Sequence, residues 1–223
     1  MISIQTNGTL LNEKLIDELE DSGLTRINLS LDTLNSELAK KLKGTVWYDL
    51  EKIVDIAEYI AQSKIDLLIA PVWVPTLNDN DIPSIIEFTM KLVKESHWPI
   101  LGIQKYVAHK YGRKPPGVKE MKWWQFYRQL EMWEKQFNIK PLKLHKHHFG
   151  IYDTKAIPRE FRIGEKVRVK LLAPGWMRGE MIGVARDRCI TVVNCNREVG
   201  DIVNVRIVAN KHNLYIAKPI TTM

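Results

Sequence analysis

The sequence predicts an α/β protein in two parts: a run of parallel βα units, read as a curved sheet or open barrel, followed by a small all-β barrel. Three observations carry this. Strand-like and helix-like segments alternate over residues 2–137, the order that gives parallel strands with right-handed crossovers. In "RINLSLD" the apolar Ile27, Leu29 and Leu31 alternate with Asn28, Ser30 and Asp32. Parallel strands are usually apolar on both faces, so here one face is covered by helices while the other looks onto polar space. A solvent-exposed sheet face is the alternative. Past residue 160, glycine-punctuated strands replace helices.

The elements follow in order. Residues 2–5 form a strand running into a Thr6-Asn7-Gly8 turn. Asn12 caps a helix with Leu15, Ile16 and Leu19 on one face, and Gly23 ends it. "TRINLSLD" is the next strand. A helix spans "TVWYDLEKIVDIAEYIAQSK", with Leu50, Val54 and Ala57 at helical spacing. "DLLIAPVWV" is a strand, and "IPSIIEFTMKLVKE" a helix with Pro83 in its first turn. "PILGIQKYVA" is the fourth strand. "MKWWQFYRQLEMWEKQF" closes the series, with Phe126, Leu130, Trp133 and Phe137 on one face. Its adjacent Trp123 and Trp124 cannot both be buried, so one of them is a candidate partner contact. The five strands of the second part are "EKVRVKLL", "GEMIGVA", "CITVVN", "DIVNVRIVAN" and "NLYIAKP", enough for a small closed barrel. In the first of them Val167, Val169 and Leu171 face the core, and Lys166, Arg168 and Lys170 face out. The domain boundaries are 1–150, a linker at 151–160, and 161–223.

A net charge of +7 is unevenly spread: residues 1–97 carry 9 basic and 16 acidic side chains, residues 98–150 carry 11 and 3, and residues 161–223 carry 11 and 5. The later half is expected to face a polyanion; a cationic surface without a partner is the alternative. No apolar run is long enough to span a bilayer, and nothing at the start reads as a signal peptide. Cys189 and Cys195 fit no zinc or iron–sulfur spacing and are expected to be free thiols, which places the chain in the cytoplasm. "LHKHHFG" gathers His145, His147 and His148 without an acidic or thiol partner, so it reads as basic linker surface and no metal site is expected. "VAHKYGRKPPGVKEMK" is a cationic loop carrying Tyr106 and Tyr111.

The first part resembles the radical S-adenosylmethionine (SAM) superfamily, in its molybdopterin-precursor and activase-like branches. "ISIQTNGTLL" is similar to the third barrel strand and its TNG turn, and "GLTRINLSLDTLN" to the fourth. "LLIAPVWVPTLNDND" is similar to the fifth with its Asn-rich loop, and "PILGIQKYV" to the sixth. The resemblance covers residues 1–140. It implies a partial (β/α) barrel lacking its first βα units. It also implies a [4Fe–4S] cluster and SAM as cofactors, and SAM cleavage to a 5′-deoxyadenosyl radical. The cluster loop CxxxCxxC and the following glycine-rich turn do not occur in this chain, and three thiolates are needed to hold three irons. The chain alone is therefore expected to be inactive. The resemblance places Thr6 and Asn7 at the pocket wall, Ser30 at the SAM ribose or carboxylate, and Asp32 beside it. The other readings are a plain turn for Thr6-Asn7-Gly8 and a cap or turn role for Asp32.

Residues 164–218 resemble a TRAM domain, a small β-barrel appended to RNA-modifying enzymes. The resemblance implies RNA binding, and Arg168, Lys170, Arg178, Arg186 and Arg188 are suited to phosphates. Trp176 is suited to stacking on an unpaired base, or to packing at a barrel end. The combined expectation is the C-terminal portion of a radical SAM enzyme that modifies tRNA or rRNA. Its rivals are a non-catalytic RNA-binding protein with a degenerate barrel, and a radical SAM enzyme acting on a small molecule or protein. A first strand with an open edge is also expected to promote self-association.

Overall fold

The computed structural model describes residues 1–92, 96–109, 112 and 114–220. Tyr111 and the end of the helix expected over 82–95 lie outside these residues. The chain divides into two compact units, Met1–Tyr152 and Asp153–Met223.

In the first unit β1 (Ser3–Thr6), β2 (Arg26–Leu29) and β3 (Asp66–Ile69) form a parallel sheet in that order. β4 (Val72–Trp73) resumes the line of β3 and pairs in parallel with β5 (Gln104–Lys105), and a parallel bridge joins Ile69 to Leu101. The single strand expected over 66–74 is thus split where Pro71, which has no N–H to give, interrupts the ladder. β1 and β2, β2 and β3, and β4 and β5 are neighbours, with helices returning the chain between the members of each pair.

The first three helices start where a polar side chain takes up a free N–H. Asn12 Oδ1 accepts from Leu15 N to begin α1 (Glu13–Asp21). Asn35 does the same for α2 (Ser36–Lys43), and Asp49 for α3 (Leu50–Gln62). α3 therefore begins five residues later than expected from residue 45, and α2 was not foreseen, because "SELAKKLK" is a two-turn segment with little apolar periodicity. α4 (Asp81–Leu92) and α5 (Trp123–Gln136) follow.

Ile27, Leu29, Leu31, Leu67 and Ile69 share one core with Ile16 of α1 and Ile53, Ile56 and Ile60 of α3. Gly8 is needed where the first turn meets that core. Its φ is +79°, and a Cβ there would sit 2.8 Å from Leu29 Cδ1. The opposite face carries Arg26, Asn28, Ser30 and Asp32 by the two-residue pleat. It is not left open as expected. Leu144 lies beside Leu68, close to Gly102, and the Phe149 ring lies 4.9 Å from the Arg26 guanidinium. Residues 144–150 thus cover the end of this face where the strands begin.

The second unit is a closed barrel of β6 (Lys166–Pro174), β7 (Glu180–Ala185), β8 (Arg188–Val193), β9 (Ile202–Ala209) and β10 (Tyr215–Pro219), in the order β10-β8-β7-β6-β9. β8 and β10 pair in parallel and the other neighbours antiparallel. Val167, Val169 and Leu171 point inward with Ile190, Val192, Val205 and Ile207, while Lys166, Arg168 and Lys170 point outward. Among the described residues no helix is long and apolar enough to cross a membrane.

Candidate functional site

The carboxyl end of β2 is tied down from three sides. Asp32 Oδ1 accepts from Val72 N at 2.8 Å. Its Oδ2 takes the Lys43 ammonium at 2.7 Å, and both side chains are largely buried. Lys43 Nζ also donates to Ser30 Oγ at 2.9 Å, so one cation from α2 holds both polar residues of the strand end. Asn78, fully buried, donates to Asp32 O and Val72 O and accepts from Val74 N. The Thr33 hydroxyl bonds to the Asp81 carboxylate at the start of α4. The loops after β2 and β4 are therefore one hydrogen-bonded block.

Around it lies a cavity of 330 Å³ walled by Val72, Val74, Leu77 and Tyr106, with Asp32 and Lys41 at its polar side. This is the end of a parallel sheet at which sites assemble, because the loops converge there. A shallower hollow of 460 Å³ beside Lys64, Asp66 and His97 is at the other end of the strands. Asn28 Oδ1, one pleat below Ser30, is buried and finds no donor. A buried acceptor without a partner costs about 1–3 kcal/mol, and Arg26 Nε on the same face lacks a hydrogen-bond partner as well among the described residues.

The remaining sequence-predicted residues take different places. Thr6 is level with Leu29 in the β1–β2 register, on the helix-covered face, and its Oγ1 accepts from Gly8 N. Asn7 Oδ1 accepts from the N–H and hydroxyl of Thr9, closing the turn. Lys43 and Asn78 were missed. The Asn-rich loop pointed to the second, but nothing local marked the first, whose helix was itself unread. Tyr48 lies under Lys43, with the ammonium 5.6 Å from the ring centre. Its hydroxyl is buried without a partner, and burial, then Asp32, push its pKa up to about 12. Replacing Tyr48 by Phe removes that orphan and is expected to stabilise the unit by about 1 kcal/mol at pH 7. Because the folded pKa is raised, the tyrosine makes stability independent of pH below its unfolded value near 10 and lowers it as pH rises toward 12, where the unfolded phenol ionises first. Urea titrations at pH 7 and pH 11 check this: the advantage of the Phe variant should grow with pH, and equal midpoint shifts at both would contradict it.

On the barrel, Lys166 of β6 is level with Arg206 of β9, and Arg206 with Lys218 of β10. Arg168 and Lys170 continue the row along β6, and none of the five has an acidic partner among the described residues. Like charges directly opposite on neighbouring strands are destabilising, so this face suits a polyanion. Arg206 and Lys218 were not foreseen, because their alignment depends on barrel closure. Trp176 is 98% exposed, and Arg178 beside it is exposed too. Arg186 is committed elsewhere. It binds Glu165 at 2.7 Å and Glu160 at 3.5 Å, and lies 5.0 Å from the Phe161 ring, so it fastens the barrel while its side chain stays half exposed. Arg188 is partly exposed and donates to Asp187 O.

The architecture defines an α/β protein with a site at the carboxyl ends of parallel strands, joined to a cationic β-barrel. Residues 1–89 match the Radical SAM superfamily. An uncharacterized protein of Methanocaldococcus jannaschii, MJ0103, is 40% identical over 236 aligned positions, which take in 98% of this chain and 54% of that protein. A probable GTP 3′,8-cyclase of the same organism is 42% identical over 91 positions, 39% of this chain and 28% of that one. A probable GTP 3′,8-cyclase of Methanococcus aeolicus is 37% identical over 123 positions, 49% of this chain and 40% of that one. The chain thus spans about half the length of the first relative and less of the cyclases.

The superfamily match implies SAM and a [4Fe–4S] cluster. The residues present do not suit the cluster. The two cysteines, exposed Cys189 and buried Cys195, are both in the second unit, and no group of three metal-binding side chains occurs among the described residues. They do suit SAM: Asp32, tied through Lys43 to Ser30, lines a cavity walled by Val72, Val74 and Leu77.

Proposed function

We propose that this chain is the C-terminal portion of a cytoplasmic radical SAM enzyme that acts on RNA, with residues 161–223 as a TRAM-like module holding the nucleic acid. The first unit is read as a partial (β/α) barrel. Ser30 and Asn28 would contact SAM, Asp32 and Lys43 would hold Ser30 in place, and Thr6 and Asn7 would shape the adjoining turn. SAM, when bound, brings an activated sulfonium; the electron source for its cleavage is not held by this chain's residues. The observation that supports the RNA reading is the row of Lys166, Arg206 and Lys218 across β6, β9 and β10, none with an acidic partner among the described residues. Lysine and arginine in direct register gain from releasing counterions of a phosphate chain.

A second reading, a nucleotide substrate such as GTP, is favoured by the similarity to GTP 3′,8-cyclases. Filter binding of tRNA with GTP as competitor separates the two. Retention at low salt that GTP does not displace is expected; no retention, or displacement by GTP near equimolar amounts, would favour the nucleotide.

A further inference from the structure

α5 keeps Phe126, Leu130 and Trp133 in the core and turns its other aromatics outward. Trp123 and Trp124 are 55% and 58% exposed, so the sequence expectation that one would be open understates the surface. The Trp123 and Tyr127 rings stack at 5.7 Å with 24° between their planes. Lys105 places its ammonium 4.9 Å from the Trp123 ring centre, and Lys143 lies 5.3 Å from that of Tyr127. These two lysines also pair with Glu120 and Glu131 at 3.1 and 3.2 Å, which holds them in place. Trp124 has no ring or hydrogen-bond partner among the described residues. Tyr127 and exposed Arg128, at i+3 and i+4, share its side of the helix.

Three exposed aromatics gathered at the start of one helix mark an interaction site, and their chemistry chooses the partner. Protein interfaces exclude lysine from their centres, whereas here ammonium groups sit against the rings themselves. Residues 98–150, to which the patch belongs, carry 11 basic and 3 acidic side chains, and with Glu120 and Glu131 taken up by Lys105 and Lys143, Arg128 is the cation of the patch without an acidic partner among the described residues. Trp124 is the ring left without a stacking partner, and Arg128 lies beside it. An open ring next to a cation suits a base joined to a phosphate.

We propose that Trp123, Trp124 and Tyr127, with Arg128 and Lys143, form a stacking platform for unpaired bases of single-stranded RNA. The platform is on the first unit, separate from the cationic row of the barrel. This proposal rests on the RNA reading and adds to it a preference for unpaired nucleotides.

The test uses the full chain, a fluorescent single-stranded oligo(U), and an RNA duplex of equal length. Trp124→Ala is expected to weaken oligo(U) binding about 5- to 100-fold. Its salt slope should be unchanged, duplex binding unaffected, and Trp124→Phe should retain the affinity. Lys166→Ala/Arg206→Ala/Lys218→Ala should weaken both RNAs and flatten the salt slope by about 2. If the barrel variant loses RNA while Trp124→Ala and Tyr127→Ala bind oligo(U) like the parent, the platform is overturned and the RNA reading stands. If the parent binds neither RNA at low salt, the RNA reading falls and takes the platform with it. A shift from dimer to monomer by light scattering in Trp124→Ala, with RNA affinity intact, would make the patch a contact between copies and overturn the proposal.

Discussion

Replacing Lys43 by Met is expected to destabilise the first unit by about 2–4 kcal/mol, lowering its melting temperature by roughly 10 °C. The lysine is the only cation within ion-pair distance of Asp32 among the described residues, and the carboxylate is only 11% exposed. Without it, Asp32 keeps the Val72 N–H alone, and Ser30 loses the donor that fixes its hydroxyl. Breaking such a pair from one side is costlier than removing it, because a charge is left behind in poor solvent. The double variant Asp32→Asn/Lys43→Met should therefore recover much of the loss, since the amide still accepts from Val72. Calorimetry on the four members of this cycle gives the coupling directly. No recovery in the double variant would mean that Lys43 acts through packing on Tyr48 and not through Asp32.

Gly183→Ala is expected to lower the melting transition of the second unit by about 10 °C or more, at about 4–8 °C per kcal/mol for a domain of this size. A Cβ at this position in β7 would stand 2.3 Å from Val169 Cγ1 and 3.0 Å from Lys170 O. The first is a side chain wedged in a closed core and the second is backbone, so neither can step aside without opening the β6–β7 pairing. Circular dichroism of the full chain should show the barrel transition moved and the other unit's unmoved. An unshifted transition would show that the barrel has slack at its seam.

Much of the fold could be read from the chain because its devices are local. Asn12 caps α1 through an N–H three residues away, and Val167, Val169 and Leu171 alternate with cations along a single strand. What escaped reading depends on separations that no window of sequence contains. Residues 144–150 look like a basic linker until Leu144 is placed beside Leu68 and Phe149 over Arg26. Lys43 looks like one lysine among several in "LAKKLKG" until α2 sets it against Asp32. Arg186 looks like any surface arginine until Glu160 and Glu165 close around it. Arg206 and Lys218 join the cationic row only because the closed barrel puts β9 between β6 and β10.

The most direct test of the RNA assignment is the salt dependence of tRNA binding by the intact chain. Five cations without an acidic partner among the described residues, on β6, β9 and β10, predict that log affinity falls with log salt at a slope of about −3 or steeper. The Lys166→Ala/Arg206→Ala/Lys218→Ala variant should flatten that slope by about 2. A parent chain that fails to retain tRNA at low salt, or a variant with the parent's slope, would contradict it.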